Sequence, residues 1–392
     1  MNGSDRDIFF GLFNDSFPPV MDGVTLTVKN YADWLLHKGL KPCVVTPRMP
    51  QMMPTPYPVM PYFSLPIPSR RPYRYGYPRL DLTIYSRLRN TPFALVHAHS
   101  PFSAGRLALY ASRKQGIPLI GTFHSKYRTD LEHSMRRTPW MVQPVMNRII
   151  SFFDECHEVW IPQAQVEETV REYGFKGAVQ VVENGNDMAT LSRAELPAYK
   201  ADARRILGVP DGVPVFLFVG QHILEKGIEV IFEAMKLLHE QGRDFRMYYI
   251  GTGYARERLI ELVKRTGLER KISVLGVLHD RRELSRYYAA ADLFLFPSYY
   301  DNAPLVVREA AAMGTPAVLP VGSTAAEVIA DGFNGFLCER TPQAHARLIA
   351  GLLENPEALQ RAGRGARDTL VRSWQDVMSE VAGRYRDILR RR

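Results

Sequence analysis

The sequence is poor in cysteine: three in 392 residues, Cys43, Cys156 and Cys338, far apart and each in an apolar run. That excludes a disulfide framework, and no cysteine spacing suits a bound metal; His97-Ala98-His99 could suggest one, but no third ligand has matching spacing. Reduced thiols in a cytosolic protein are expected. Long hydrophobic runs are missing too; none approaches the roughly 20 residues that cross a bilayer. The opening Met1 to Asp7 is polar and carries acids, so no secretory signal peptide is expected. Its Asp5-Arg6-Asp7 precedes the first apolar run and reads as solvated. Low-complexity tracts and short-period repeats are absent.

What is present is an ordinary globular balance, 46% apolar and 23% charged. The length is too great for one core and suits two domains. The net charge of +9 is shared by both halves but clusters locally. Arg70, Arg71, Arg74, Arg79, Arg87 and Arg89 face a single acid, Asp81, and a second basic cluster ends the chain. Such patches suit phosphate-rich surfaces, either nucleic acid or anionic lipid.

Apolar runs alternate with amphipathic stretches, the pattern of parallel sheets covered by helices. The first half reads as strands Asp7–Phe13, Pro42–Thr46, Phe93–His97, Pro118–Phe123, Val159–Pro162 and Val179–Glu183. Helices lie between them, among them Thr25–His37, Ser103–Lys114 and Ala164–Tyr173. Gly23 before the first helix lets backbone approach a phosphate, or merely makes a turn. Two strands end in histidine, at His97-Ala98-His99 and at Gly121-Thr122-Phe123-His124. Ligands bind at carboxyl ends of parallel strands, so His124 and His99 are candidates, with Asp15 just past the first strand. The helix Trp140–Phe153 carries an apolar stripe that suits a core, or a face resting on a membrane.

Pro47 to Pro78 is dense in proline, which excludes helix and central strand and predicts an extended surface loop. Its tyrosines, Tyr73 among them, interleave with Arg70 and Arg71. The mixture suits stacking on bases or sitting at a lipid interface. Asn184-Gly185-Asn186-Asp187 reads as a hinge. The expected organisation is residues 1–187, 188–372, and a final helix, 373–392.

After the hinge the alternation restarts. Strand Val215–Val219 runs into Gly220-Gln221-His222-Ile223-Leu224-Glu225-Lys226-Gly227, where Lys226 can neutralise a diphosphate as a point charge. Strand Met247–Ile250 ends in Gly251-Thr252-Gly253, and Ile272–Leu275 ends in Gly276-Val277-Leu278. Strand Leu293–Phe296, loop Pro297–Pro304, helix Leu305–Met313 and strand Pro316–Leu319 make a further unit. The first amides of its helix, at Leu305 and Val306, lack intrahelical partners and attract an anion. Glu309, one turn in, can accept from a pair of hydroxyls, as on a ribose. Asp301 stands eight residues earlier. Taken singly, each carboxylate also fits a solvated acid near a helix start.

The phrase from Pro297 to Pro316, Ser298-Tyr299-Tyr300-Asp301-Asn302-Ala303-Pro304-Leu305 included, resembles the signature of family 4 retaining glycosyltransferases. Their usual pattern is Glu, seven residues, Glu, then a small-residue helix and Gly-x-Pro. Here the first acid is Asp301, and Asn302-Ala303 replaces an aromatic-Gly neighbourhood. Gly220 to Gly227 matches their Gly-Arg, four residues, Lys-Gly, except that Gln221 stands for the arginine. The resemblance spans nearly the whole chain. It implies an α/β protein of GT-B fold, two doubly wound Rossmann-like domains facing across a cleft.

By that resemblance Lys226, Gln221, Leu305 and Val306 hold the diphosphate, while Gly251, Gly276, Leu278, Asn302 and Glu309 complete the nucleotide-sugar site. His124 and Asp301 hold the sugar. No metal or other cofactor is required. The Asp-Asn-x-Pro-Leu-Val-Val-Arg-Glu phrase and the Arg/Tyr/Pro loop resemble bacterial members that glucosylate diacylglycerol. They imply UDP-glucose as donor, a lipid acceptor near Asp15, His99, Arg70, Arg71 and Tyr73, and peripheral contact with an anionic membrane from the cytoplasmic side. The alternatives are a soluble or polyprenyl-linked sugar acceptor and a non-catalytic sugar-nucleotide sensor. Nucleic-acid binding is not expected, since no such module is recognisable.

Overall fold

The computed structural model describes residues 8–20, 22–67, 72–135, 138–186, 188, 191–299 and 301–391. The chain divides into two compact units: one runs to Gly185 and resumes at Trp374, and the other is Asn186–Ser373.

The first unit opens with β1 (Phe9–Phe13), α1 (Gly23–His37), β2 (Pro42–Pro47), β3 (Val59–Tyr62), β4 (Ser64–Pro66) and β5 (Arg74–Gly76). It continues through α2 (Ile84–Asn90), β6 (Phe93–Ala98), α3 (Ser103–Gln115), β7 (Leu119–Thr122), α4 (Tyr127–Ser134) and α5 (Val142–Asp154). β8 (Glu158–Ile161), α6 (Val166–Glu172) and β9 (Val179–Val181) follow. Seven strands form one parallel sheet in the order β3-β2-β1-β6-β7-β8-β9. The order reverses between β1 and β6, so their carboxyl ends flank a crevice.

The proline-dense stretch is not all loop. Val59–Tyr62 pairs parallel with β2, with Pro61 opposite Thr46, and Ser64–Pro66 makes a hairpin with Arg74–Gly76. β3 is an edge strand with one neighbour, so a proline there forfeits no ladder bond on its outer side. The stripe of α5 is core: Val142, Met146, Ile149, Ile150, Phe152 and Phe153 are buried. Helical periodicity alone cannot separate that from a membrane-resting face.

The second unit comprises α7 (Leu196–Ile206), β10 (Val215–Val219), α8 (Ile228–Glu240), β11 (Arg246–Ile250), α9 (Arg256–Arg265), β12 (Ile272–Leu275) and α10 (Arg281–Ala290). It ends with β13 (Leu293–Leu295), α11 (Leu305–Ala312), β14 (Ala317–Pro320), β15 (Phe336–Cys338), α12 (Pro342–Leu353) and α13 (Pro356–Leu370). Its parallel sheet has the order β12-β11-β10-β13-β14-β15, reversing between β10 and β13. All five residues of β10 are buried, as a strand covered on both faces requires.

Finally α14 (Trp374–Arg390) packs in the first unit's core, where Trp374, Val377, Met378, Val381 and Tyr385 join Leu12, Val44, Leu95 and Trp160. Among the described residues no helix is long and apolar enough to cross a membrane.

Candidate active site

In the second unit the crevice between β10 and β13 gathers the charges. The β10 end turns sharply at Gly220 (φ +155°), and a Cβ at Gly251 (φ +139°) would sit 2.0 Å from the Gly220 carbonyl oxygen. Only glycine lets these two strand ends approach so closely. The loop then makes a 3₁₀ turn, Leu224–Lys226, before α8.

Lys226 Nζ lies 2.9 Å from Asp301 Oδ1, with side chains 12% and 18% exposed. Ser298 donates to the other carboxylate oxygen at 2.7 Å, and the Lys226 ammonium stands 5.4 Å from the Phe296 ring centre. The cation and the acid that the sequence analysis assigns to diphosphate and sugar are therefore paired with each other. Asn302 is buried. Helix α11 begins after Pro304 with no side-chain cap on its first amides, at Leu305 and Val306.

Glu309, on the second turn of α11, is buried. Its Oε1 accepts from Arg281 Nη2 at 2.6 Å and its Oε2 from the Tyr288 hydroxyl at 2.8 Å. Sequence reasoning missed both donors. Positions 281 and 288 are two turns apart and share one face of α10, but only the tertiary contact shows that this face meets Glu309. Gly276 accepts from Gly251 N at 3.1 Å and opens onto empty space where a side chain would stand, while Leu278 is half-buried.

Arg340 was also missed. Its guanidinium donates to the carbonyls of Glu225 (2.8 Å) and Leu224 (3.2 Å) and stacks 5.7 Å from the Tyr299 ring, holding the turn that presents Lys226. Gln221 is half-buried, and the next residue, His222, is buried with neither ring nitrogen hydrogen-bonded. Burial lowers the His222 imidazole to about 4, with the Arg256 charge adding to the effect.

The first unit's crevice is built of rings instead. His97 bonds the Tyr385 hydroxyl at 2.7 Å and Thr122 Oγ1 at 2.6 Å. The His97 and His99 rings stack at 4.2 Å, and His99 Nδ1 meets His124 Nε2 at 3.0 Å. Burial holds all three imidazoles neutral, bringing His124 to about 3 and the other two well below their usual range. His99 Nε2 is buried without a hydrogen-bond partner.

Asp15 spends its carboxylate internally. Ser100 donates at 2.5 Å, the α3 amide of Ala104 at 3.1 Å, Tyr62 at 3.2 Å, and Ser103 to the same oxygen as Ala104 and Tyr62. It thus ties the first strand end to a helix start. Gly23 is exposed in the first turn of α1, behind Asp22, which caps Thr25 N at 2.7 Å. Tyr73 is half-buried at the turn end of the hairpin, where its carbonyl accepts from Ile67 N at 3.0 Å. Arg70, Arg71, Tyr300 and Asp187 lie outside the described residues.

Residues 200–369 match the family model described as glycosyl transferases group 1, and residues 21–190 match glycosyltransferase family 4. Alpha-monoglucosyldiacylglycerol synthase of Acholeplasma laidlawii is 24% identical over 374 residues, covering 91% of each chain. Alpha-D-kanosaminyltransferase of Streptomyces kanamyceticus is 28% identical, covering 77% of this chain and 79% of the relative. The crystal structure of Anabaena HepE in complex with UDP and glucose superposes with a TM-score of 0.74 at 18% identity, covering 97% and 99%. Two parallel sheets with matched reversal points, and a family match on each, make this chain a member of the family 4 glycosyltransferases, with the GT-B fold.

Proposed function

We propose that this glycosyltransferase moves glucose from UDP-glucose to a membrane lipid, diacylglycerol, with retention at the anomeric carbon and without a metal. The observation that carries the donor half is the charge arrangement at the second unit's reversal point. Lys226 and the uncapped start of α11 supply positive potential for the diphosphate, Gln221 adds a neutral N–H donor, and Glu309 sits one turn further on for the ribose. In the transfer the bond from the anomeric carbon to the diphosphate oxygen breaks. The bond to the acceptor oxygen forms on the same face, and the acceptor's proton passes to the departing phosphate. No carboxylate is needed as a covalent nucleophile, unlike a retaining glycosidase. Asp301 holds sugar hydroxyls, which requires it to share Lys226 with the diphosphate.

The lipid acceptor is supported by the surface of the first unit. Leu82 is 96% exposed and Leu80 62%, with exposed Phe63, Leu65, Tyr75 and Tyr77 on or next to the neighbouring hairpin, exposed Arg79 beside Leu80 and exposed Arg89 in the last turn of α2. Exposed leucines among arginines and tyrosines suit an anionic membrane on which the protein rests peripherally. Arg74 and Arg87 are half-buried and keep their charge, but they donate to Ser64 and to the Pro61 carbonyl and so have fewer donors left for a headgroup. The resemblance to a synthase of glucosyldiacylglycerol favours the same acceptor.

Purified protein given UDP-glucose and diacylglycerol vesicles is expected to form glucosyldiacylglycerol; transfer to a soluble acceptor alone rejects the lipid. The second reading, a soluble or polyprenyl-linked sugar acceptor, is favoured by the similarity to a relative named D-inositol 3-phosphate glycosyltransferase. A soluble acceptor predicts no sedimentation with anionic vesicles.

A further inference from the structure

The acid read as ribose-facing, Glu309, is held like Asp301 by one cation and one hydroxyl donor on different carboxylate oxygens. Glu309 is 7% exposed, and its cation, Arg281, is 32% exposed. Arg281 is the first residue of α10, directly after the 276–280 loop, where a side chain at Gly276 would meet no atom within 4 Å. Tyr288, two turns along the same helix, is wholly buried. One charged and one neutral donor thus each take a site on a different carboxylate oxygen. A carboxylate offers about four acceptor sites, so each oxygen can accept once more. Two further sites on one fixed plane match two adjacent hydroxyls.

We propose that Arg281 is the positioning residue that sets Glu309 to accept from the ribose 2′-hydroxyl, and so restricts the donor to ribonucleoside rather than deoxyribonucleoside diphosphate sugars. This rests on the reading that Glu309 takes the ribose. Without the guanidinium, a buried carboxylate has lost its counter-charge and keeps only the phenol as a guide. It then no longer presents both oxygens to the diol. Arg281 is the side chain to change because it is one-third exposed, whereas truncating Tyr288 would open the core.

The experiment is calorimetric titration of the full chain with UDP and with 2′-deoxy-UDP, alongside thermal melts. Wild type is expected to favour UDP by about tenfold, the scale of one hydrogen bond to a charged group. Arg281→Met is expected to bring UDP down to the affinity of the deoxynucleotide, leaving a ratio near one. Arg281→Lys should fall between, and it carries the test if Arg281→Met does not fold. A substituted protein with the wild-type melting temperature and the wild-type ratio overturns the proposal. If Glu309→Gln abolishes the ratio while Arg281→Met keeps it, the proposal fails and the ribose reading stands. A wild-type ratio of one removes both.

Discussion

The two units build their candidate sites from opposite materials on the same plan. Each places the site at the reversal point of a parallel sheet, β1 and β6 in one, β10 and β13 in the other. The first fills it with three neutral imidazoles linked to Tyr385 of the last helix. The second fills it with two ion pairs, Lys226–Asp301 and Arg281–Glu309. The difference teaches that fold decides where a ligand lies, while local burial decides which chemistry is affordable there. Deeply buried rings stay neutral and can only donate and accept hydrogen bonds. Partly buried charges, each with a partner, are suited to a ligand that carries charge of its own.

Removing a charge should therefore hurt most. Lys226→Ala is expected to lower turnover of UDP-sugar at least 100-fold, the scale for losing one donor to a developing anion. Steady-state kinetics with varied donor measure it, and a change under threefold would take the diphosphate away from this lysine. Next comes the surface of the first unit. Leu80→Ser with Leu82→Ser should weaken binding to anionic vesicles about tenfold or more, since each buried leucine is worth about 1.5 to 3 kcal/mol. Affinity for UDP should stay the same. Vesicle sedimentation and UDP titration together separate membrane contact from donor binding.

The ring column should answer to pH rather than to charge removal. His97, His99 and His124 have folded-state values below the unfolded one near 6.5, with His124 at about 3. Their stabilisation is therefore fully present above pH 6.5 and is lost as pH falls below it. Each contributes a slope of up to about 1.4 kcal/mol per pH unit in that range. Urea midpoints at pH 7.5, 6 and 5 check the sign, and ring-proton NMR should show none of the three titrating between pH 8 and 5. Tyr385→Phe leaves one His97 nitrogen without its partner, a loss of about 1 to 3 kcal/mol in the same urea experiment.

Much of this plan was legible before any coordinates. The β10 loop, the Gly251 turn and the Asp301-to-Glu309 phrase announce themselves through residue types that only a close backbone approach or a helix start demands. Partners did not announce themselves. Arg281, Arg340 and Tyr288 are ordinary helix or loop residues whose meaning comes from tertiary contacts. Asp15 looked like a ligand because it follows a strand, yet its oxygens are taken up by Ser100, Ser103 and the start of α3. Helices α12 and α13 were missed despite Thr341-Pro342 and Asn355-Pro356, each a capping residue before a proline at the first helical position. Proline density hid β3, since the rule against proline in strands applies to strands paired on both sides.

The smallest effect expected is the most informative about the family difference. Asp301 is one methylene shorter than the glutamate usual in the signature, and at that length it reaches Lys226 at 2.9 Å while Ser298 holds its other oxygen. Asp301→Glu must either push the ammonium aside or swing past it. If the pair exists to hold Lys226 in readiness, the longer acid should disturb it little, changing kcat by less than about threefold and donor KM by a similar factor, below about 0.7 kcal/mol. If instead the short acid sets the choice of sugar, Asp301→Glu should leave UDP affinity alone and alter the ratio of turnover between UDP-glucose and UDP-galactose. Competition between the two donors in one tube measures that ratio directly. A shift of tenfold or more would make Asp301 a reader of the hexose's configuration as well as the partner of the lysine.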